Sequence, residues 1–460
     1  MQEIAPQGST TVNLDSNKDA KSFSSYAYTK LGTCMPPSLD YGSVLAVSRF
    51  VLAYGLKGGN IRVVLTRGAA TAMLNGHPNN IVDVCIAPDP RPTGSSTVAS
   101  LSGDGICRLW EVSNQDAGGE LDTREMLHLK TRSNTAQRVF FHPAWAHGKH
   151  NNMVFILHEG TVTGVTLTHD IREENAVDPS KGLLIDNYVS VRMVRESKVL
   201  DMAFVMIPTS GNWRCVTAHE DGTCCIWSLG NALGEGDDDQ SSVSMDSAPP
   251  LNRKDSKSSN KRMSMVNLAP LMVIKVSNTP VLTVGFVTPY MLVTGAARNC
   301  EVCLWSLDKL EKAPTSPMQK ITITRSNPPL RSFRGTFVRR IVDGACTLAL
   351  FESRTLDTVV FQITEKRGIT NAIPIKVQYP VLSVSGDYDI ERDKLVCHVV
   401  DVDSIEDLDC PSEIAFGSVT NMEVRNSIRR ASKKAESVAS KEEIDMPVEW
   451  NDKKSCCVVS

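Results

Sequence analysis

The chain has no apolar run near the roughly 18 residues that span a bilayer; stretches such as Val281–Phe286 are far shorter. Its opening, MQEIAPQGSTTVNLDSNKD, has no apolar core of the kind a secretory signal needs, so no export is expected. Without export, the 13 cysteines are not expected to form a disulfide framework. They read as small reduced core residues. An excess of charge of one sign is also missing. The 49 basic and 52 acidic residues leave a net charge of −3, which makes no electrostatic case for a nucleic-acid binder. No Gly-rich phosphate loop lies between a strand and a helix, and Gly58-Gly59-Asn60 reads as a hairpin turn. There is no G-x-S-x-G elbow and no zincin-type histidine pair. These gaps argue against an enzyme, and no cofactor or metal is expected.

What is present is repetition. SGDGICRLWEV (Ser102 to Val112), HEDGTCCIWSL (His219 to Leu229) and ARNCEVCLWSL (Ala297 to Leu307) share one plan: a polar turn, then an alternating strand carrying a tryptophan. Trp110, Trp227 and Trp305 are 117 and 78 residues apart. Both intervals are multiples of about 39, close to the roughly 40–45 residues of a WD-type propeller blade. From Val44 onward, short β-branched runs alternate with Gly, Pro and Asn, the mark of many short strands.

Seven units can be traced in this pattern. The first runs from Val44 through Ile61–Leu65, and the second from His77 to Val112. The third holds Val154–His158 and Thr161–Leu167. The fourth spans Val199 to Leu229, and the fifth Val281 to Leu307. The sixth holds Cys346–Phe351 and Thr358–Ile363. The seventh holds Pro380–Asp389 and Lys394–Val400. The expected fold is all-β, a seven-bladed WD-repeat β-propeller over residues 41–409. Residues 1–40 read as a disordered N-terminal arm. Residues 230–264, with the acidic run Asp237–Asp239 and a Ser-rich stretch, read as a disordered insertion between blades four and five. Residues 410–460 read as a flexible polar tail.

The second unit carries the fullest set of blade residues. In WD-type blades a loop histidine, a strand serine, a turn aspartate and a strand tryptophan form a buried hydrogen-bonded chain; the candidates are His77, Ser100, Asp104 and Trp110. This structural reading of His77 and Asp104 outweighs a catalytic one. Asp221 and Trp227 repeat the turn and the tryptophan, and Trp305 repeats the latter. Asp104-Gly105 and Asp221-Gly222 suit tight turns, because Gly accepts φ > 0. Cys300 and Cys303 have C-x-x-C spacing, but a zinc site requires a second pair. Cys303 matches Cys225 in register, and both read as core cysteines, as do Cys215 and Cys224. His142, His147 and His150 lie in one loop, HPAWAHGKH, and read as solvated.

The flanks carry modification signals. RKDS, KRMS and RRAS make Ser256, Ser264 and Ser432 candidate phosphorylation sites in flexible chain. Cys457-Val458-Val459-Ser460 fits the C-a-a-X pattern, which makes Cys457 a prenylation candidate and Cys456 a palmitoylation candidate. Lys453 and Lys454 add little positive field beside Glu449 and Asp452.

The stretch GNIRVVLTRGAATAMLNGHPNNIVDVCIAP…STVASLSGDGICRLWEV (Gly59–Val112), together with QYPVLSVSGDYD (Gln378–Asp389), resembles the WD-repeat region of the enhancer of mRNA-decapping protein 4 family, also called Hedls or Varicose. The resemblance extends over residues 44–405. It implies a non-catalytic scaffold in cytoplasmic processing bodies, with mRNA-decapping factors as protein partners. That family's long Ser-rich linker and C-terminal helical region have no counterpart in these residues. The alternative from the residues alone is a prenylated adaptor, tethered to a membrane through Cys457, for signalling or trafficking partners.

Overall fold

The computed structural model describes residues 2–416 apart from 17–20, 23, 29–42, 49, 67–69, 89–94, 114–120, 132–135, 146–151, 159, 178–181, 230–264, 308–311, 327–329, 331, 341–343, 353–354, 378–380, 382, 390–392 and 401–404. The candidate sites Ser256, Ser264, Ser432, Cys456 and Cys457, the histidines His147 and His150, the insertion 230–264 and the tail from 417 lie outside the described residues.

Seven sheets follow one another along the chain, each antiparallel through its four blade strands and beginning at the centre of a ring. The innermost strands are Leu45–Val47, Ile81–Ile86, Ala136–Phe141, Val199–Met206, Val281–Thr288, Phe333–Arg339 and Ser383–Asp389. Each touches the next, and the seventh touches the first, so the expected seven-bladed β-propeller is what the chain forms. The apolar clusters lie between adjacent blades. One joins Cys215 and Trp227 of blade four to Phe155 and Met193 of blade three. Another joins Ile274 of blade four to Phe286 and Trp305 of blade five. A middle strand therefore buries both faces and reads as an unbroken apolar run. Met153–His158 and Cys346–Glu352 show this directly.

Four features differ from the sequence reading. The first is the N-terminal segment, which along its described residues is not a free arm. Gly8–Asn13 pairs in parallel with Gln319–Thr324 on blade five. Gln2–Glu3 and Lys21–Ser22 pair with Gly368–Lys376 on blade six. Ile4, Val12 and Leu14 enter the cluster between those blades. Ser24–Tyr28 then supplies the fourth strand of blade seven, pairing with Ile405–Pro411. The ring is closed by two segments far apart in the sequence. Polarity hid these strands: GSTTVN bonds through its main chain and buries one side chain, Val12.

The second is the insertion, which falls inside blade four. The chain leaves after the third strand, Thr223–Ser228, and Val266–Leu268 pairs with Val189–Val194 of blade three. It then returns as blade four's own outer strand, Met272–Lys275. The third is the end of the ring, which lies at Phe416 and not at 409. Cys410, Ala415 and Phe416 are buried in the cluster between blades six and seven, and Thr347 Oγ1 donates to Ala415 O. The fourth is a helix, His169–Val177, between the third and fourth strands of blade three.

Candidate functional site

The seven inner strands enclose a central cavity of about 380 Å³, whose wall includes Ser43, Cys85, Arg138, Asp201, Thr283 and Thr336. An innermost strand has one edge without a strand partner, so its N–H groups need other acceptors. Side chains of the neighbouring blade supply them. Asp83 of blade two accepts from Ser43 N before blade one's inner strand and from Val139 N of blade three, each at 2.8 Å. Asp201 of blade four accepts from Val284 N of blade five at 3.0 Å. Arg138 of blade three joins the two acids, 3.4 Å from Asp83 and 2.8 Å from Asp201. Asn299 Nδ2 of blade five donates to Phe333 O of blade six at 2.9 Å. Gly386 N of blade seven donates to Thr336 Oγ1 of blade six at 3.0 Å. Ser383 and Ser43 hydroxyls meet at 3.0 Å between blades seven and one. Every junction of the ring therefore carries a polar clasp.

The electrostatics follow from burial. Asp83 is pushed up to about 6 by loss of water, with the Arg138 guanidinium holding it down against a larger shift. Asp201 is raised for the same reason, again opposed by Arg138. Burial works against the charge on Arg138, but Asp83 and Asp201 more than offset it, so its proton is held more tightly than usual. These groups are engaged with one another and with the main chain.

In blade two a hydrogen-bonded chain links His77, Ser100, Ser102, Asp104 and Trp110. His77 Nε2 lies 2.8 Å from Ser100 Oγ, and Trp110 Nε1 donates to that same Ser100 Oγ at 3.0 Å. The other ring nitrogen meets Ser102 Oγ at 2.9 Å, and Ser102 donates to Asp104. Asp104 thus reaches His77 through Ser102 and not directly. Burial, with Arg108 nearby, drives His77 down to about 3, so its ring is neutral near pH 7 with both nitrogens engaged.

Blade four builds the same chain from different parts. Trp227 Nε1 donates to Thr217 Oγ1 at 2.9 Å, and Thr217 meets His219 Nε2 at 2.8 Å. His219 occupies the position of Ser102, so the imidazole comes from the strand end and not from the preceding loop. Asp221 takes the Thr223 hydroxyl and main-chain N–H, and it sits 3.8 Å from Arg195. In blade five only the last link remains: Trp305 Nε1 donates to Thr294 Oγ1 at 3.0 Å. Its turn, Ala297-Arg298-Asn299, is left-handed throughout.

Other sequence readings divide. Cys215, Cys224, Cys225 and Cys303 are buried free thiols, and burial raises the pKa of each. Among the described residues no group of His, Cys, Asp or Glu is arranged to hold a metal ion. His142 is not solvated. It is fully buried, accepts from Ala144 N at 3.1 Å, and stands edge-on to Trp213 with ring centres 4.9 Å apart. Burial lowers its pKa to about 4. Phe155 and Phe204 complete its surroundings, which the loop sequence alone does not reveal.

The sequence reading missed Asp83, Arg138 and Asp201. The signal for the acids was present: Ile81-Val82-Asp83-Val84 and Val199-Leu200-Asp201-Met202 place an aspartate at the same point of two inner strands. A charge inside an apolar strand marks a buried partner.

No family model matches the chain, and no curated protein matches it. Among solved structures, Raptor from Chaetomium thermophilum is similar, with a TM-score of 0.50 and 14% identity over 85% of this chain. The likeness takes in 29% of the Raptor chain, so this chain spans under a third of that protein's length. At that identity the likeness speaks to the fold alone. The chain is a seven-bladed β-propeller, the architecture typical of WD-repeat scaffolds and protein-interaction modules.

Proposed function

We propose that this propeller is a non-catalytic interaction scaffold of the mRNA-decapping-enhancer type, gathering decapping and mRNA-decay proteins in cytoplasmic processing bodies. The observation that carries the scaffold part is the use of the central polar groups. Asp83, Arg138 and Asp201 are committed to clasping blades, which leaves rims and outer edges as the surfaces for recognition. The decapping part rests on the resemblance of Gly59–Val112 and Gln378–Asp389 to that family. The test is proximity labelling from the full chain in cells, with imaging of its granules. Labelling of decapping proteins above a ring-disrupted Asp201→Ala control supports the reading. Labelling that omits them, with diffuse staining, removes it.

A second reading is a prenylated adaptor. It rests on Cys456 and the sequence Cys457-Val458-Val459-Ser460. Intact mass of the native protein decides it: a farnesyl adduct with loss of the last three residues, and membrane fractionation abolished by Cys457→Ser, supports the tether.

A further inference from the structure

The outer edges of the blades are not alike. Leu183–Leu184 adds a strand to blade two, Val266–Leu268 to blade three, Gly8–Asn13 to blade five, and Gln2–Glu3 with Lys21–Ser22 to blade six. Four of these added strands, Leu183–Leu184, Val266–Leu268, Gly8–Asn13 and Lys21–Ser22, run parallel to the strand they join. Among the described residues nothing pairs with the outer edge of Thr71–Leu74 on blade one, of Met272–Lys275 on blade four or of Ser24–Tyr28 on blade seven. An unpaired edge presents free N–H and C=O groups to any extended chain.

The edges on blades one and four differ in what surrounds them. Blade one's outer strand carries no large exposed apolar side chain, whereas on blade four Leu271 is 48% and Val273 37% exposed. Met272 and Ile274 pack with Val284 and Phe286 of blade five. Because side chains alternate along a strand, Leu271 and Val273 face the other way, toward blade three. On that side Leu268 packs against the cluster between the two blades. Lys275 continues the same row, and its Nζ donates to Asp221 O at 2.8 Å.

We propose that the edge of Met272–Lys275 is a docking site for an extended segment of a partner protein. The segment joins as a fifth strand of blade four, parallel to Met272–Lys275. It sets apolar side chains at alternate positions against Leu271 and Val273 and an acidic residue beside Lys275. The chain's own added strands show that this architecture accepts a fifth strand, and that short segments such as GSTTVN suffice, because the main chain supplies the bonds. The inference rests on the scaffold reading. Decapping proteins that bind the Val273→Lys chain as well as the wild type would leave that reading standing and remove this one.

The experiment is selection of a random linear-peptide display library against the full chain. Enriched peptides should carry alternating apolar residues beside an acidic one. Their binding should fall by about tenfold or more, on the order of 1.4 kcal/mol, with Val273→Lys or Leu271→Lys. It should not change with Tyr290→Ala, in the turn between blade five's first two strands. Val273→Thr, which keeps a β-branched residue, should give a smaller loss and guards against a folding defect. Bound peptide should slow amide exchange over residues 271–275. Peptides indifferent to these variants, or with helical spacing, overturn the proposal. So does a concentration-dependent dimer lost on Val273→Lys, which assigns the edge to a second copy. Binding that appears only after deletion of residues 231–262 also overturns it, since the chain's own insertion then covers the edge.

Discussion

Arg138 Nη1 lies 2.8 Å from Asp201 Oδ1, so a cation on blade three is held by an acid on blade four across the junction between them. The same acid receives Val284 N–H from blade five, and one carboxylate therefore ties three blades together. Replacing it by Ala leaves Arg138 with Asp83 alone and takes the acceptor from the Val284 N–H. Asp201→Ala should cost about 3 kcal/mol or more, read as a lower urea midpoint. Asp201→Asn, which keeps one acceptor, should cost less. Equal losses would mean that charge is not what the site requires.

The tryptophan links can be weighed separately from the volume they fill. Trp110→Phe removes the donor to Ser100 and keeps an aromatic ring, and should cost about 1 kcal/mol. Trp227→Ala empties a site that is 1% exposed and should cost about 3–5 kcal/mol. Chemical denaturation of both variants checks the order.

Acid should loosen the ring. His77 and His142 are held neutral by burial, at about 3 and about 4 against an ordinary 6.5, and His219 is lowered in the same direction. A group with a depressed folded pKa contributes stability above its unfolded pKa and loses it as pH falls toward the folded one. Stability should therefore decline below pH 6.5, by at most about 1.4 kcal/mol per pH unit for each histidine. Asp83 works in the opposite sense. Its folded pKa of about 6 lies above the ordinary 3.8, so its contribution is present below 3.8 and fades as pH rises through 6. Urea midpoints at pH 7 and pH 5 measure the sum. His77→Gln should flatten the slope even if it lowers stability at pH 7.

Gly222 and Gly58 share a left-handed backbone, with φ of +80° and +86°, but not their surroundings. A Cβ on Gly222 would fall 2.1 Å from Ser277 O, whereas one on Gly58 meets nothing within 4 Å. Gly58→Ala should cost about 1 kcal/mol, from backbone strain alone. Gly222→Ala should cost clearly more, because the loop from blade four to blade five must move. Equal midpoints for the two would show that the loop yields freely.

What the sequence made legible was what recurs locally. Trp110, Trp227 and Trp305 sit at near-regular intervals in alternating strands, so the blades could be counted, and His77, Ser100 and Trp110 could be joined by their spacing. Ser102 was one residue from the turn and was passed over. The clasp of Asp83, Arg138 and Asp201 joins residues of three different blades, and no local period brings them together. Ser24–Tyr28 bonds to Ile405–Pro411 through main-chain groups that every residue carries, so no side-chain pattern announces the pairing. His142 was misread because its burial comes from Phe155, Phe204 and Trp213, all distant in sequence.

The strand Ser24–Tyr28 also sets a timetable. A ribosome makes its partner, Ile405–Pro411, close to 380 residues after it. Blades one to four can assemble as they emerge, each against the one before, while the segment that will seal the circle waits without its partner. Closure is therefore an event that follows synthesis of the last blade, and it carries the loop-closure cost of the residues between these two strands. Chains arrested after blade six but before Ile405 leaves the ribosome should be cut by protease at Ser24–Tyr28, and released full-length chains should resist there.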